Sequence, residues 1–143
     1  MASSTVENYL KTLYAQQQEL PGEPVPLGRL AERLSLTPGT VTTMIKRLAE
    51  SNLVEYETRS GARLTVEGEK LALQVLRRHR LIELFLVQIV GLDWSEVHEE
   101  AEELEHAASE KLLEKIDALL GFPRLDPHGD PIPTADGEIV HPD

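Results

Sequence analysis

The 143-residue chain contains no cysteine. That absence removes disulfide frameworks, thiolate nucleophiles, and every zinc or iron–sulfur site that depends on cysteine sulfur. Aromatic residues are also scarce, at 4%, which argues against a stacking platform for single-stranded nucleic acid. Long apolar runs are missing. The longest stretch, Leu81 to Leu92, is broken by Glu83 and Gln88 and falls well short of the ~20 residues a membrane-spanning helix needs. The opening Met-Ala-Ser-Ser-Thr lacks the basic start and apolar run of a secretion signal, so the expected location is the cytoplasm. With 41% hydrophobic and 27% charged residues, the composition is that of an ordinary globular protein, long enough for one domain or a small domain with an appendage.

Negative charge is plentiful but unevenly placed. The formal net charge is −11, from 14 Lys+Arg against 25 Asp+Glu. Residues 1–63 hold 7 residues of each sign, and residues 64–92 hold 4 basic and 3 acidic. Residues 93–143 hold 3 basic against 15 acidic. The excess therefore sits in the last third, and the first two thirds remain able to face a polyanion, because DNA binding depends on local phosphate neutralisation.

The N-terminal part reads as a succession of short elements. Ser3 or Ser4 caps a helix running to Gln18, with Val6, Leu10, Leu13 and Tyr14 at helical spacing. Leu20 to Pro26 is a loop, and Leu27 to Leu34 is a short helix with Leu27, Leu30, Ala31 and Leu34 on one face. Ser35 to Gly39 forms a turn in which Thr37 caps and Pro38 opens a third helix reaching Ser51. Leu53 to Thr58, a glycine turn over Arg59 to Arg63, and Leu64 to Val66 make a β-hairpin. Helix, short helix, turn, helix and hairpin in that order define a winged helix-turn-helix, whose helix after the turn enters the major groove of DNA.

The remainder predicts a mainly α architecture. A long helix runs from Thr65 to Gly91, an acidic helix follows from about Trp94 to Ala107, and a third spans Ser109 to Leu120 before Gly121 stops it. Helices appended to a winged helix commonly build a dimer, which a two-fold operator requires. The last residues are rich in proline and glycine and read as a tail or linker. The expected domains are 1–66 for DNA binding, 67–122 for a helical dimerisation and metal-binding domain, and 123–143 for the tail.

Histidine and carboxylate share faces on these helices. His79 and Glu83 are four apart, and His98, Glu102, Glu105 and His106 follow at steps of four, three and one. Imidazole and carboxylate within one turn can chelate a divalent cation. Without sulfur the set suits Mn(II) or Fe(II), although Zn(II), Ni(II) or Cu(II) would bind more tightly in a test tube. The plainer alternative is that the glutamates form the solvated face of an amphipathic helix.

The layout resembles the diphtheria toxin repressor family of iron- and manganese-dependent regulators, in particular its manganese-transport-regulator branch. The residues that carry the resemblance are Glu7 to Tyr14, Ala31 to Leu34, Leu64 to Gly68, Arg78 to Glu83, Val97-His98, Glu102 to His106 and the tail segment Pro127 to Pro133. The resemblance spans almost the whole chain. It implies two cation sites, one from His79, Glu83 and His98, the other from Glu102, Glu105 and His106 completed from the first helix. Asn8 stands there where relatives have Met or Asp, so Asn8, Glu7 or a water completes that set. Glu102 stands where iron-type members have Cys, which favours Mn(II), with Fe(II) next. Some members carry a C-terminal SH3-like domain that is absent from this sequence, and the proline-rich end resembles the linker leading to it.

The DNA-facing candidates are Thr37, Gly39, Thr40, Thr42, Thr43, Lys46 and Arg47 around the recognition helix, with Arg29, and Arg59 and Arg63 on the wing. Hydroxyls at such a helix start bond phosphates or pack on thymine methyls, while the alternative is that Thr37 only caps and the basic residues are solvated. Gly39 occupies a position that is often Pro in relatives. The expected function is a metal-dependent transcriptional regulator, a repressor that binds palindromic operator DNA as a homodimer when loaded with metal and controls metal homeostasis. The rival is a winged-helix regulator that answers to an organic ligand or a protein partner. A metal-dependent hydrolase is disfavoured, since neither a His-Glu-x-x-His motif nor a nucleophile arrangement is present.

Overall fold

The computed structural model describes residues 3–139. The chain divides into two compact units, Met1–Ala72 and Leu73–Asp143. Its mainly helical order matches the expected fold class: α1 (Ser4–Glu19), α2 (Leu27–Leu34), α3 (Pro38–Glu50), β1 (Val54–Glu57), β2 (Gly61–Leu64), α4 (Val66–Phe85), α5 (Val97–Glu105) and α6 (Glu110–Leu119). Among the described residues, no helix is long and apolar enough to cross a membrane.

The first unit is a winged helix-turn-helix. Ser3 accepts a hydrogen bond from the Val6 amide at 3.2 Å and starts α1. Ser35 ends α2 in a left-handed conformation, φ 56°, which lets the Leu36 amide bond back to the Ala31 carbonyl at 3.0 Å. Thr37 then caps α3, with Pro38 in its first turn. The helices enclose a core of Leu10, Leu13, Leu30, Val41, Ile45 and Leu48, closed by Val54 and Ala62 of the hairpin. Val54 pairs with Leu64 and Glu57 with Gly61 in the antiparallel register. Val25 adds a third, short edge through reciprocal bonds with Ala62 at 2.8 and 2.9 Å.

The second unit packs Ile82 and Leu86 against Val97, Ala101 and Leu113. Here three expectations need correction. The long helix does not stay α-helical to Gly91: after Phe85 it widens into a π-helical turn over Leu86–Val90, closed by Gly91 at φ 85°. The wider turn buries Leu86 and leaves Ile89 and Val90 outside. Apolar spacing alone does not separate it from an α turn ending at the same glycine. The acidic helix begins at Val97 rather than Trp94, because Asp93 Oδ1 accepts from both the Ser95 amide (2.9 Å) and hydroxyl (3.0 Å), holding a tight turn ahead of the helix.

The third correction concerns the proline-rich end. It has no helix or longer strand through Ile139, but it is not loose: the Ile132 amide donates to the Arg124 carbonyl at 2.8 Å, and the Asp126 amide to Asp130 at 2.9 Å. Pro133 is fully buried. Residues 140–143 of the expected tail lie outside the described residues.

Gly61 has φ +132°, and a Cβ there would stand 2.2 Å from the Val25 carbonyl oxygen. Gly39, inside α3, has nothing within 4 Å of a built Cβ. Gly61→Ala should therefore destabilise the protein by about 2–4 kcal/mol. Gly39→Ala should stabilise it by about 0.5–1 kcal/mol. Urea denaturation of the two variants checks both signs.

Candidate metal centre

Within the second unit, α4 presents Arg77, His79, Arg80 and Glu83, and α5 presents His98, Glu102 and Glu105. His79 is 5% exposed, Glu83 3% and Glu105 not at all. Burying one imidazole and two carboxylates is costly unless they neutralise one another or hold a cation. His79 Nε2 lies 2.9 Å from Glu83 Oε1 and 3.1 Å from His98 Nδ1. Its Nδ1 faces Glu105 Oε2 at 3.3 Å, close enough for strong attraction. His98 Nε2 lies 3.3 Å from Glu102 Oε1.

Burial opposes a charge on His79, yet the carboxylates of Glu105 and Glu83 outweigh it and push its pKa up to about 9. Burial likewise opposes charge on Glu83, but the hydrogen bond and charge of His79, with His128 and His98 beyond it, hold its pKa below the usual carboxylate range. Glu83 Oε2 has no hydrogen-bond partner and sits 3.9 Å from His98 Nδ1. A buried carboxylate oxygen without a donor, facing an imidazole edge, is a ready ligand for a cation. The donor set fits a divalent transition metal.

Three groups bring ligand atoms within 4.8 Å of one another: His79, Glu83 and His98; His79, Glu102 and Glu105; and Glu83, Asp126 and His128. The first is the set expected from the sequence. In the second, His79 joins Glu102 and Glu105, while His106 Nε2 lies 3.5 Å from Glu105 Oε1. Asn8 is half-buried on α1, in the first unit. The third group was missed, because Asp126 and His128 lie in the segment whose prolines read as a linker. The available signal was the Asp-Pro-His-Gly run, a tight turn that places a carboxylate and an imidazole two residues apart.

Asp126 builds that turn. Its Oδ1 accepts from the amides of His128 and Asp130, both at 2.8 Å. Its Oδ2 is left beside His128 Nδ1 at 3.7 Å and Arg80 Nε at 4.0 Å. Arg80 also donates to the Pro131 carbonyl. Glu83 therefore belongs to two of the three groups, and so does His79.

In the first unit, Thr37, Gly39, Thr40, Thr43, Lys46 and Arg47 are exposed along the start and outer side of α3, and Thr42 is half-buried. Thr37 and Thr40 hydroxyls are 2.7 Å apart. Thr42 and Thr43 donate to the carbonyls of Pro38 and Gly39, each at 3.0 Å, which leaves their oxygens able to accept. Arg59 is exposed at the hairpin tip and Arg63 half-buried on β2. Arg29 Nη2 pairs with Glu19 Oε2 at 3.1 Å on the surface, an arrangement worth little in water.

A winged helix-turn-helix in one unit and a buried histidine–glutamate cluster in the other is the pairing found in metal-responsive DNA-binding regulators. Residues 1–62 match the iron dependent repressor N-terminal DNA binding domain, and residues 65–134 match the iron dependent repressor metal binding and dimerisation domain. The chain belongs to the iron-dependent repressor family, that of the diphtheria toxin repressor. It is 37% identical to the iron-dependent repressor IdeR of Mycobacterium leprae over 129 residues, covering 90% of this chain and 55% of that protein. A manganese-dependent transcriptional repressor solved in complex with manganese is similar at 47% identity and TM-score 0.86, over 96% of this chain and 62% of the other. The manganese regulator SloR is similar at 36% identity and TM-score 0.80, over 98% and 63%. The chain thus spans little more than half the length of these relatives.

In metal-free protein, folding raises the His79 pKa from about 6.5 to about 9. The stability this contributes is complete below pH 6.5 and is lost as pH rises through 9, on the order of 3 kcal/mol in all. Chelator-treated protein should therefore melt at progressively lower temperature between pH 7 and 10, and His79→Gln should flatten that dependence.

Proposed function

We propose that this chain is a metal-dependent transcriptional repressor that binds palindromic operator DNA as a homodimer and controls metal-homeostasis genes. The observation that carries the reading is the buried Glu83 oxygen left without a donor amid His79, His98 and Glu105. One cation position uses His79, Glu83 and His98, with Asp126 and His128 gathered on the same glutamate. The other uses Glu102, Glu105 and His106. All donors are nitrogen or oxygen in a chain without cysteine, which favours Mn(II), with Fe(II) next, over metals that prefer sulfur.

A bound cation supplies positive charge and directional bonds where carboxylates otherwise repel one another. The chain's own part is to bring ligands from α4, α5 and the 126–130 turn to one place. A coupling of ~1–3 kcal/mol between metal and DNA binding changes operator affinity 5- to 150-fold. On the DNA side, the cap residue Thr37 and Gly39, Thr40, Thr42, Thr43, Lys46 and Arg47 of α3 face the major groove. Arg59 and Arg63 of the wing, with Arg29, meet the backbone.

For the dimer, the second unit offers an apolar groove lined by Ile82, Phe85, Leu104, Ala107 and Leu112. Leu104 and Leu112 are about half exposed, an arrangement that favours a self-complementary contact. Leu112→Glu should shift the protein to monomer in sedimentation velocity and abolish operator binding.

Genomic fragments retained by the protein with Mn(II) and released by chelator would identify the operator and test metal control together. Glu105→Gln should lose about 10- to 100-fold in metal affinity and lose metal-stimulated binding to those fragments in anisotropy titrations, while its helical circular dichroism stays unchanged. Wild-type binding that ignores chelator would instead favour an organic ligand or protein partner as effector.

A further inference from the structure

Trp94, the only tryptophan of the chain, lies with its ring centroid 4.4 Å from that of His128, the planes tilted by 34°. Each ring is carried by an aspartate-built turn. Asp93 Oδ1 accepts from Ser95 on one side, and Asp126 Oδ1 accepts from the His128 and Asp130 amides on the other. These turns fix the two backbones but leave the imidazole free to rotate about its last torsion. Its polar neighbours are Asp126 Oδ2 at 3.7 Å and Glu83, in whose group a His128 nitrogen lies. Neither contact sets the ring plane. The indole is the ring against which the imidazole lies.

Ring plane matters because a metal takes the nitrogen lone pair in that plane. A side chain on a surface turn, 38% exposed, otherwise loses rotational freedom when it ligates. We infer that Trp94 is a positioning residue that holds the His128 imidazole edge-on toward Glu83 and Asp126 for a divalent cation. The inference rests on the metal reading of that group. The stack also favours the loaded state, since a ligating imidazole becomes more positive and the indole face attracts positive charge. Trp94 is itself 54% exposed, so it serves this contact without being part of a core.

The test uses the full chain, Mn(II) alone as the probe, and free Mn(II) measured by electron paramagnetic resonance. Trp94→Leu keeps apolar bulk but removes the flat face, and Trp94→Phe keeps a face. Trp94→Leu should weaken one class of bound Mn(II) about 10-fold and leave the other unchanged, with Trp94→Phe recovering most of the loss. In a His128→Ala background the Trp94→Leu change should add nothing. In the wild type, loading of that class should change Trp94 fluorescence. If His128→Ala binds Mn(II) as the wild type does, the cation position at Glu83, Asp126 and His128 is wrong, and the role of Trp94 falls with it. If His128→Ala is weakened but Trp94→Leu is not, or if the two losses simply multiply, the metal reading stands and the positioning role is overturned.

Discussion

The second unit is organised around an imidazole enclosed by carboxylates. His79, with Glu83 on one ring nitrogen and Glu105 on the other, joins α4 to α5 through charge rather than through apolar packing alone. Removing His79 would leave the two buried carboxylates without their cation, which costs far more than an intact pair returns. A fold that keeps such a cluster at the centre of a small helical unit accepts lower intrinsic stability. In exchange it gains a site whose balance changes when a doubly charged ion arrives. The apolar contacts of Ile82, Leu86, Val97 and Ala101 set the helices at the spacing that makes this enclosure possible.

The DNA-binding unit obeys the opposite logic. Its core is built mainly from aliphatic side chains, its helices are capped by Ser3 and Thr37, and its edge is closed by Val25 against Ala62. Such local rules are what a sequence displays most directly, and α2 was legible at the limits Leu27–Leu34 from leucine and alanine spacing alone. The hydroxyls of Thr42 and Thr43 bond back to their own helix, so they are presented to a ligand in a fixed orientation without a tertiary contact.

Legibility failed where information is tertiary or where two geometries share one pattern. His79, Glu83, His98, Glu102 and Glu105 were visible because helical spacing puts ligands on common faces. Asp126 and His128 were not, since they reach Glu83 from more than forty positions away through a turn hidden among prolines that suggest a linker. His79 was assigned to one cluster and stands in two, because a sequence reveals which face a ring occupies but not that both nitrogens are used. The delayed start of α5 has a local cause, the Asp93 side chain diverting two donors into a turn. An aspartate at that place suits a turn and a helix cap equally, so the sequence alone does not separate the two.

The π-helical turn at Leu86–Val90 follows the ligands of α4 and sets the direction in which the chain leaves that helix. A π turn holds one residue more than an α turn, equivalent to about 100° of helix rotation. The chain leaves α4 at Gly91 from that offset, and the Asp93 turn then leads it to Val97 at the start of α5. The residue count of this short apolar segment therefore fixes the exit, whatever the identity of its outer side chains. A Val-for-Ile exchange on its outer side leaves the phase untouched. Loss of a single residue would swing the exit from α4 by about 100° while preserving every apolar and acidic character by which the helices are recognised.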